Sequence, residues 1–260
     1  MKSTDLLQLL EYVGPLSVSD EFCKKFGFYD NSGILVDSGE DIVGVLFSLD
    51  LSEKAVEEAK KLGFNAIVTH HPAIYGAISS VSVNDLKTSL VAECLKSGIS
   101  VISMHLNFDA APEGIDFHLM QGLGGDAGKT LVKLSGGAYG RVYDVNPRKL
   151  SDYVQFIKTN LSTDKVIYYG GDDKVIRRVA SFCGAGCDDT AIDFAAEEGA
   201  DAFVSSDMKH HQICALLSRG ISIILLTHYA AEDYGFNKIY GKIIEELNVP
   251  AAYFCDASLK

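Results

Sequence analysis

Apolar runs alternate along this chain with segments of helical periodicity. The run Ile42–Leu49 predicts a buried strand. The next segment, Asp50–Leu62, has apolar residues at helical spacing, with Ser52 placed to cap the helix and Gly63 placed to end it. A second apolar run, Ala66–Thr69, predicts another strand. Strands that alternate with helices in this way are typical of α/β proteins.

The second half of the chain repeats this order of elements. Its predicted elements are a strand (Val175–Phe182), a glycine-rich turn (Cys183–Asp189), a helix (Thr190–Glu198) and a strand (Ala202–Val204). Residues 62–68 are similar to residues 198–204, and residues 95–102 are similar to residues 217–224. Because two consecutive segments match in the same order, we favour an internal duplication over the general similarity of any two β-α-β units.

The predicted fold class is therefore α/β, with two internally duplicated halves whose mixed sheets are flanked by helices. Glycines at 122–128 mark the predicted boundary, which assigns 1–127 to the first half and 128–260 to the second. The remaining predicted elements are a hairpin at 131–144, a helix at 150–161 and a strand at 166–169.

Composition narrows the class of protein. Hydrophobic residues make up 47% of the 260 residues and charged residues 22%, as in ordinary folded proteins. The chain has 23 basic and 35 acidic residues, which gives a net charge of -12. This charge argues against general electrostatic binding of nucleic acid. No apolar run reaches the roughly 18–20 residues of a membrane span, and no signal pattern opens the chain, so we expect a cytoplasmic protein. In that compartment the six cysteines are expected to be mostly reduced and buried.

Histidines and carboxylates follow three of the predicted strands. They are His70, His71, His105, Asp109, His228 and Glu232. A single histidine after a strand is usually an ordinary surface or core residue, but several at strand ends together favour a metal site. Ligands of α/β proteins bind outside the carboxyl ends of strands, so we expect these side chains to gather in the cleft between the halves. Imidazole and carboxylate suit Zn, Mn, Fe, Co or Ni, which predicts a site for two divalent metal ions per chain.

The spacing of these residues fits a pair of metals. His228 and Glu232 are four residues apart, so a helix that starts there places them one turn apart on one face. His70 and His71 leave a strand that Pro72 bends, so they can diverge toward two neighbouring metals. Metals about 3.5–4 Å apart activate a water and clamp a leaving oxygen.

Other candidate ligands carry weaker predictions. His118 lies in a predicted amphipathic helix and is expected to be structural. His210 and His211 either line the same cleft or begin a solvated helix. Cys183 and Cys187 flank a glycine-rich turn, and their spacing matches no common zinc motif.

Three motifs of this chain resemble a known family. They are Thr69-His70-His71-Pro72, His105-x-Asn107-Phe108-Asp109 and His228-Tyr229-x-x-Glu232. They are similar to those of the NGG-one-interacting-factor-three-like family, whose bacterial and archaeal members are called GTP cyclohydrolase I type 2 homologues or dinuclear metal-centre proteins. The resemblance runs from Asp30 to about Gly241.

The resemblance implies a ligand set and an assembly. The implied ligands are His70, His71, Asp109, His228 and Glu232. Glu232 would bridge the two metals, His71 and Asp109 would bind one of them, and His70 and His228 would bind the other. His105 would belong to the surrounding pocket, and the assembly would be a ring-shaped homo-hexamer with the metals facing an internal cavity. The chain departs from the family pattern at Ser32, Leu106, Ser205–Asp207 and Thr227, none of which is an implied ligand.

Two functions of different classes fit these residues. The first is a metal-dependent hydrolase of a small phosphorylated or nucleotide-like molecule, with Asp109 or His105 passing protons. The family name suggests opening of the GTP ring, although the chain has no Walker-type glycine loop with a lysine. The second is a metal-binding oligomeric scaffold or regulatory partner without turnover. DNA binding is the weakest alternative, given the charge.

Overall fold

A computed structural model of the protein describes residues 1–86 and 88–260. The chain divides into two compact units. The first unit comprises Met1–Gly114, Leu134–Gly136 and Phe236–Cys255, and the second comprises Ile115–Lys133, Gly137–Gly235 and Asp256–Lys260. Each contains a mixed sheet flanked by helices, which confirms the predicted fold class. The domain boundary proposed between residues 127 and 128 stays a prediction.

Helices and strands alternate along most of the chain. The helices are α1 (Ser3–Val13), α2 (Leu16–Phe26), α3 (Glu53–Leu62), α4 (Ser89–Lys96), α5 (Leu106–Ala110), α6 (Ile115–Gly122), α7 (Leu150–Asn160), α8 (Asp189–Glu197), α9 (His210–Ser218) and α10 (His228–Ile243). The strands are β1 (Gly33–Val36), β2 (Val45–Ser48), β3 (Ala66–Thr69), β4 (Ser100–Ser103), β5 (Gly128–Leu134), β6 (Gly137–Lys149), β7 (Ile167–Tyr169), β8 (Val175–Ser181), β9 (Ala202–Ser205), β10 (Ser222–Leu225) and β11 (Ala251–Phe254). None of the helices described has the length and apolar character that crossing a bilayer requires.

The sheet of the first unit has the order β1-β4-β3-β2-β11. Strands β2, β3, β4 and β11 run parallel, and β1 is antiparallel to β4. Ser48 pairs with Thr69, and Thr69 pairs with Ser103, so three neighbouring strands end at the same level. Strands β2, β3 and β4 are buried along their whole length, as is usual for parallel strands covered by helices.

The sheet of the second unit has the order β5-β6-β8-β9-β10-β7. Strands β8, β9 and β10 are parallel, and β7 is antiparallel to β10. The order β7-β10-β9-β8 therefore repeats the order β1-β4-β3-β2 of the first unit, including the antiparallel strand. An internal duplication predicts this repeat. The buried core of the sheet includes Phe182 and Phe203, whose stacked rings have centroids 5.0 Å apart.

Equivalent helices of the two units are capped in the same way. Ser52 caps α3 and Asp188 caps α8, each with a side-chain oxygen that accepts a hydrogen bond from the third helical N–H. Caps of this kind stabilise a helix by about 0.5–2 kcal/mol. Gly63 and Gly199 follow these helices with φ of +71° and +70°, a backbone conformation that favours glycine. The predicted ends of both helices are thus close to the observed ones.

Several predicted details differ from the structure. Strand β2 begins at Val45, and not at Ile42, because the N–H of Val43 donates to Oδ1 of Asn65 at 2.8 Å. No element was predicted before Ile42, where α1, α2 and β1 lie. Two cysteines expected to be buried, Cys214 and Cys255, are exposed because they lie on outward-facing positions of α9 and after β11.

Candidate metal centre

Polar side chains follow three adjacent parallel strands of the first unit. Asp50 comes after β2, His70 and His71 come directly after β3, and His105 comes after β4. Because these strands end at the same level, they deliver the side chains to one edge of the sheet. The predicted position of the histidines at strand ends is thereby confirmed for the first unit.

Three histidines of the first unit form a cluster. Each of His70, His71 and His105 offers one ring nitrogen, and the three nitrogens lie within 4.8 Å of one another. The ring centroid of His70 is 4.9 Å from that of His71 and 5.2 Å from that of His105. His70 is completely buried. Such a group could hold a metal ion.

The other ring nitrogen of each histidine in this cluster is engaged by an oxygen. Nδ1 of His70 lies 2.9 Å from the carbonyl oxygen of Met104, Nδ1 of His71 lies 2.7 Å from Oδ1 of Asp50, and Nδ1 of His105 lies 2.8 Å from Oδ1 of Asp30. With Nδ1 donating to oxygen, Nε2 is the nitrogen with a lone pair for a metal. Histidine ligands of metals in proteins almost always have such an oxygen partner, so these residues fit a bound ion.

Asp109 joins this cluster from α5. Its Oδ1 is 3.5 Å from Nε2 of His70, and its N–H donates to the carbonyl oxygen of His105 at 3.0 Å. The short helix is anchored by Asn107, whose side-chain amide donates to the carbonyl oxygen of Gly14 at 2.6 Å. The structure therefore brings together all four residues predicted in this part of the chain.

Asp30 is a carboxylate beside the cluster that accepts hydrogen bonds from two serines and pairs with His105. Its Oδ2 accepts hydrogen bonds from the hydroxyls of Ser19 at 2.5 Å and Ser32 at 2.7 Å. Burial acts to raise the pKa of Asp30, but the hydrogen bonds from His105 and the two serines outweigh it and lower the pKa to about 2. Burial acts to lower the pKa of His105, yet the bond to Asp30 and the charge of Asp109 raise it.

The second unit contains a smaller group of the same kinds of side chain, a histidine and carboxylates. His228 begins α10, and its Nε2 lies 3.0 Å from Oε1 of Glu232, one helical turn further on. This confirms the predicted helix and the shared face. Nδ1 of His228 is hydrogen-bonded to Oδ2 of Asp207, which follows β9. Glu232 is buried.

A glycine in the turn after β8, Gly184, lies close to the buried carboxylate of Glu232. Gly184 has φ of +57°, and a Cβ placed there would lie 2.5 Å from Oε1 of Glu232. Its carbonyl oxygen accepts hydrogen bonds from the hydroxyls of Ser205 at 3.2 Å and Ser206 at 2.6 Å. The positive φ and the nearby Oε1 together favour glycine at this position.

The other histidines and the cysteine pair considered as ligands lie in ordinary structural or exposed positions. His118 is buried in α6, and its Nδ1 lies 2.9 Å from Oε1 of Gln121, as a structural histidine would be placed. His210 and His211 are exposed at the start of α9, which favours the solvated helix start over a cleft lining. Cys183 and Cys187 are buried thiols of the second unit.

Sequence reasoning missed the partners of the histidines. Asp30, Asp50 and Asp207 were not predicted to have roles, although Asp50 and Asp207 follow strands just as the histidines do. The strand-end rule could have found these two. Asp30 precedes β1 and pairs with a histidine 75 positions away, so no local pattern indicates its role.

The fold and these clusters together define an α/β protein of two topologically equivalent units with histidine–carboxylate groups that could bind a metal. The family model Duf34/NIF3 (NGG1p interacting factor 3) matches residues 1–256. The chain belongs to this family, which confirms the resemblance seen in its motifs.

Relatives of known sequence and structure agree with this assignment. A "GTP cyclohydrolase 1 type 2 homolog" of Clostridium perfringens is 26% identical over 265 aligned positions, which cover 100% of this chain and 98% of the relative. The "Protein NIF3 homolog" of Schizosaccharomyces pombe is 29% identical, and the match covers 78% of this chain and 77% of the relative. A crystal structure of a Bacillus cereus protein related to NIF3 has a TM-score of 0.84 at 17% identity, with 98% of this chain and 96% of that chain covered, and shows the same fold.

Proposed function

We propose that this protein is a dinuclear metal-dependent hydrolase that acts on a small phosphorylated or nucleotide-like molecule. The proposed ligands of two divalent ions per chain are His70, His71, Asp109, His228 and Glu232. The observation that carries the proposal is the engagement of Nδ1 by oxygen in His70 and His71, which places the lone pair of each ring on Nε2, the nitrogen that would bind a metal. The name of the Clostridium perfringens relative points to the nucleotide GTP as one substrate to test.

The two ions, when bound, would lower the pKa of water and stabilise the negative charge that develops on a leaving oxygen. The protein would hold its own groups rigidly for this chemistry, because His70 and Asp109 are buried. Of the two residues predicted to pass protons, we assign Asp109 to that role. A carboxylate has two oxygens, so one can bind a metal while the other accepts a proton.

A screen of metal-loaded protein tests the hydrolase proposal. GTP, other nucleotides and simple phosphoesters are incubated with protein loaded with Zn²⁺, Mn²⁺, Co²⁺ or Ni²⁺, and products are separated by chromatography. We expect turnover with at least one ion, loss of turnover in His70→Ala and retention in His118→Ala, a buried histidine outside the cluster. A screen without turnover by protein that has bound its metals contradicts the enzyme and favours a metal-binding scaffold.

We propose further that the chain assembles as a homo-hexamer in the cytoplasm, as the family resemblance implies. Exposed aromatic residues Tyr12, Phe28 and Tyr29 of the first unit supply apolar surface that contact between copies could cover. Size-exclusion chromatography with light scattering is expected to give a mass six times the chain mass of 28.1 kDa. A monomeric mass at micromolar concentration contradicts the hexamer.

A further inference from the structure

We propose that His105 is an additional metal ligand of the first unit, the equivalent of His228 in the second unit, and that Asp30 positions it. This inference rests on the proposed metal centre and adds a residue that the family's ligand set leaves out. It also gives the duplicated fold a chemical meaning, since each unit would contribute a histidine and a carboxylate from the same place in its sheet.

Strand topology makes β4 and β10 equivalent. Each lies between a parallel neighbour, β3 or β9, and an antiparallel strand, β1 or β7. The residues leading into these strands, 95–102 and 217–224, also resemble each other in sequence. Side chains that follow β4 and β10 therefore occupy equivalent places in the two sheets.

The same pair of residue types follows both strands. His105 is followed four residues later by Asp109, and His228 is followed four residues later by Glu232. Of these two pairs, the proposed ligand set includes both carboxylates, Asp109 and Glu232, but only one histidine, His228. The repeat assigns the same role to His105, whose ring nitrogen already lies within 4.8 Å of those offered by His70 and His71.

The partner of Nδ1 is also repeated. A carboxylate of Asp30 accepts from His105, and a carboxylate of Asp207 accepts from His228. A carboxylate in this place fixes the tautomer with its lone pair on Nε2 and makes that nitrogen a stronger donor to a metal. Both histidines thus have the outer partner that a ligand needs.

Asp30 is itself held in one orientation. Ser19 and Ser32 donate hydrogen bonds to its Oδ2, which leaves Oδ1 for His105. The hydroxyl oxygen of Ser32 also accepts the backbone N–H of His105 at 3.0 Å. The segment around Asp30 therefore fixes both the ring and the backbone of the histidine, and Asp30 is a positioning residue.

Titration with Co²⁺ tests the role of His105. Binding is followed by the visible absorption of the ion in metal-stripped wild-type protein, His105→Ala and the control His118→Ala. Loss of an outer partner weakens metal binding about 10–100-fold, so loss of a ligand is expected to weaken one binding step by at least about 100-fold. His118→Ala should bind as wild type. If His105→Ala folds poorly, His105→Gln keeps a donor for Asp30 without an imidazole and should show the same loss.

Asp30→Ala tests the positioning role. It is expected to weaken the same binding step about 10–100-fold and to change the Co²⁺ spectrum, whereas Asp37→Ala should do neither. Asp37 is a fair control because it also accepts a hydrogen bond from a serine, Ser3, away from the cluster.

X-ray absorption of the Co²⁺ protein should count one imidazole fewer in His105→Ala.

The outcomes separate this inference from the proposed function. Two bound ions in His105→Ala with wild-type affinity and imidazole count would overturn the role of His105 and leave the dinuclear centre standing. Wild-type protein that binds no Co²⁺ overturns both proposals. Wild-type affinity in Asp30→Ala, with a weakened His105→Ala, removes the positioning role alone.

Discussion

The two units share one strand order but carry different residues at equivalent strand ends. In the first unit β3 is followed by His70 and His71, whereas β9 of the second unit is followed by Ser206 and Asp207. The ends of β4 and β10 both lead to a histidine with a carboxylate four residues later. The comparison teaches that the repeated fold supplies equivalent places for ligands, and that the residues at one pair of places have diverged.

The clusters also differ in their exposure to water. The His70 side chain of the first unit is 0% exposed, and that of Asp30 is 3% exposed. In the second unit, His228 is 35% exposed and its partner Asp207 is 53% exposed. Because buried hydrogen bonds are less weakened by water, the pair of His105 and Asp30 is held more rigidly than the pair of His228 and Asp207. In the second unit, the turn at Gly184 lies close to the buried carboxylate of Glu232.

The largest effect is expected when that turn is changed. Gly184→Ala places a Cβ 2.5 Å from Oε1 of Glu232, so this proposed ligand must shift and Zn²⁺ binding should weaken strongly, measured by calorimetric titration. Gly199→Ala is the matched control, because its φ is +70° and nothing lies within 4 Å of the added Cβ. Both variants should lose about 1–2 kcal/mol of stability through backbone strain. Equal metal binding in the two variants would contradict the role of the turn.

Removing the carboxylates that pair with Nδ1 of the histidines tests whether metal binding depends on them equally in the two units. Asp50→Ala takes the partner of His71, and Asp207→Ala takes the partner of His228. Each is expected to weaken metal binding about 10–100-fold, as measured by competition with a chromophoric chelator. Asp173→Ala, which removes an exposed carboxylate paired with Lys149, is the control. Unchanged affinity in both variants would show that these carboxylates do not support the ligands.

The two helix caps should contribute equally to the stability of the fold and should not affect metal binding. Ser52→Ala and Asp188→Ala each remove the side-chain acceptor of the first turn of α3 or α8. Each should lower the free energy of unfolding by about 1 kcal/mol in urea denaturation. Metal affinity should stay at the wild-type value, because each cap side chain accepts its hydrogen bond from its own helix. A cap variant that loses metal would contradict this separation.

The smallest effect concerns thiol chemistry. Burial, aided by Asp188 and Asp189, raises the pKa of Cys187 to about 12, whereas Cys214 is exposed. A buried neutral thiol stabilises the fold below the ordinary pKa of 9.0, and this contribution is lost as the pH rises through about 12. Alkylation of folded protein at pH 8, followed by peptide mass spectrometry, should label Cys214 long before Cys187. Equal rates would contradict the burial of Cys187.

Much of the fold follows from local signals in the sequence. The cap at Ser52, the stop at Gly63 and the apolar run before His70 are read from neighbouring residues, and the structure agrees with all three. Elements before residue 42 were not predicted, because Lys2 and Pro15, the residues before α1 and α2, have no side-chain oxygen of the kind that caps α3 and α8.

The ligands and their partners differ in how far the sequence reveals them. His70 and Glu232 belong to short motifs, so they were found. The pairing of His105 with Asp30 depends on how β1 lies antiparallel to β4, which only the folded sheet determines. The approach of Gly184 to Glu232 likewise needs the turn after β8 and the start of α10 in three dimensions. Contacts between distant segments were therefore the part that sequence patterns could not supply.

The central proposal is that this chain binds a pair of divalent ions and that Glu232 is one of their ligands. Elemental analysis by mass spectrometry of protein purified without chelator, and of Glu232→Ala prepared in parallel, tests it most directly. We predict close to two ions per wild-type chain and their loss in Glu232→Ala, whose circular dichroism remains that of folded protein. Full metal content in the variant, or none in wild type after dialysis against Zn²⁺ or Mn²⁺, would contradict the account.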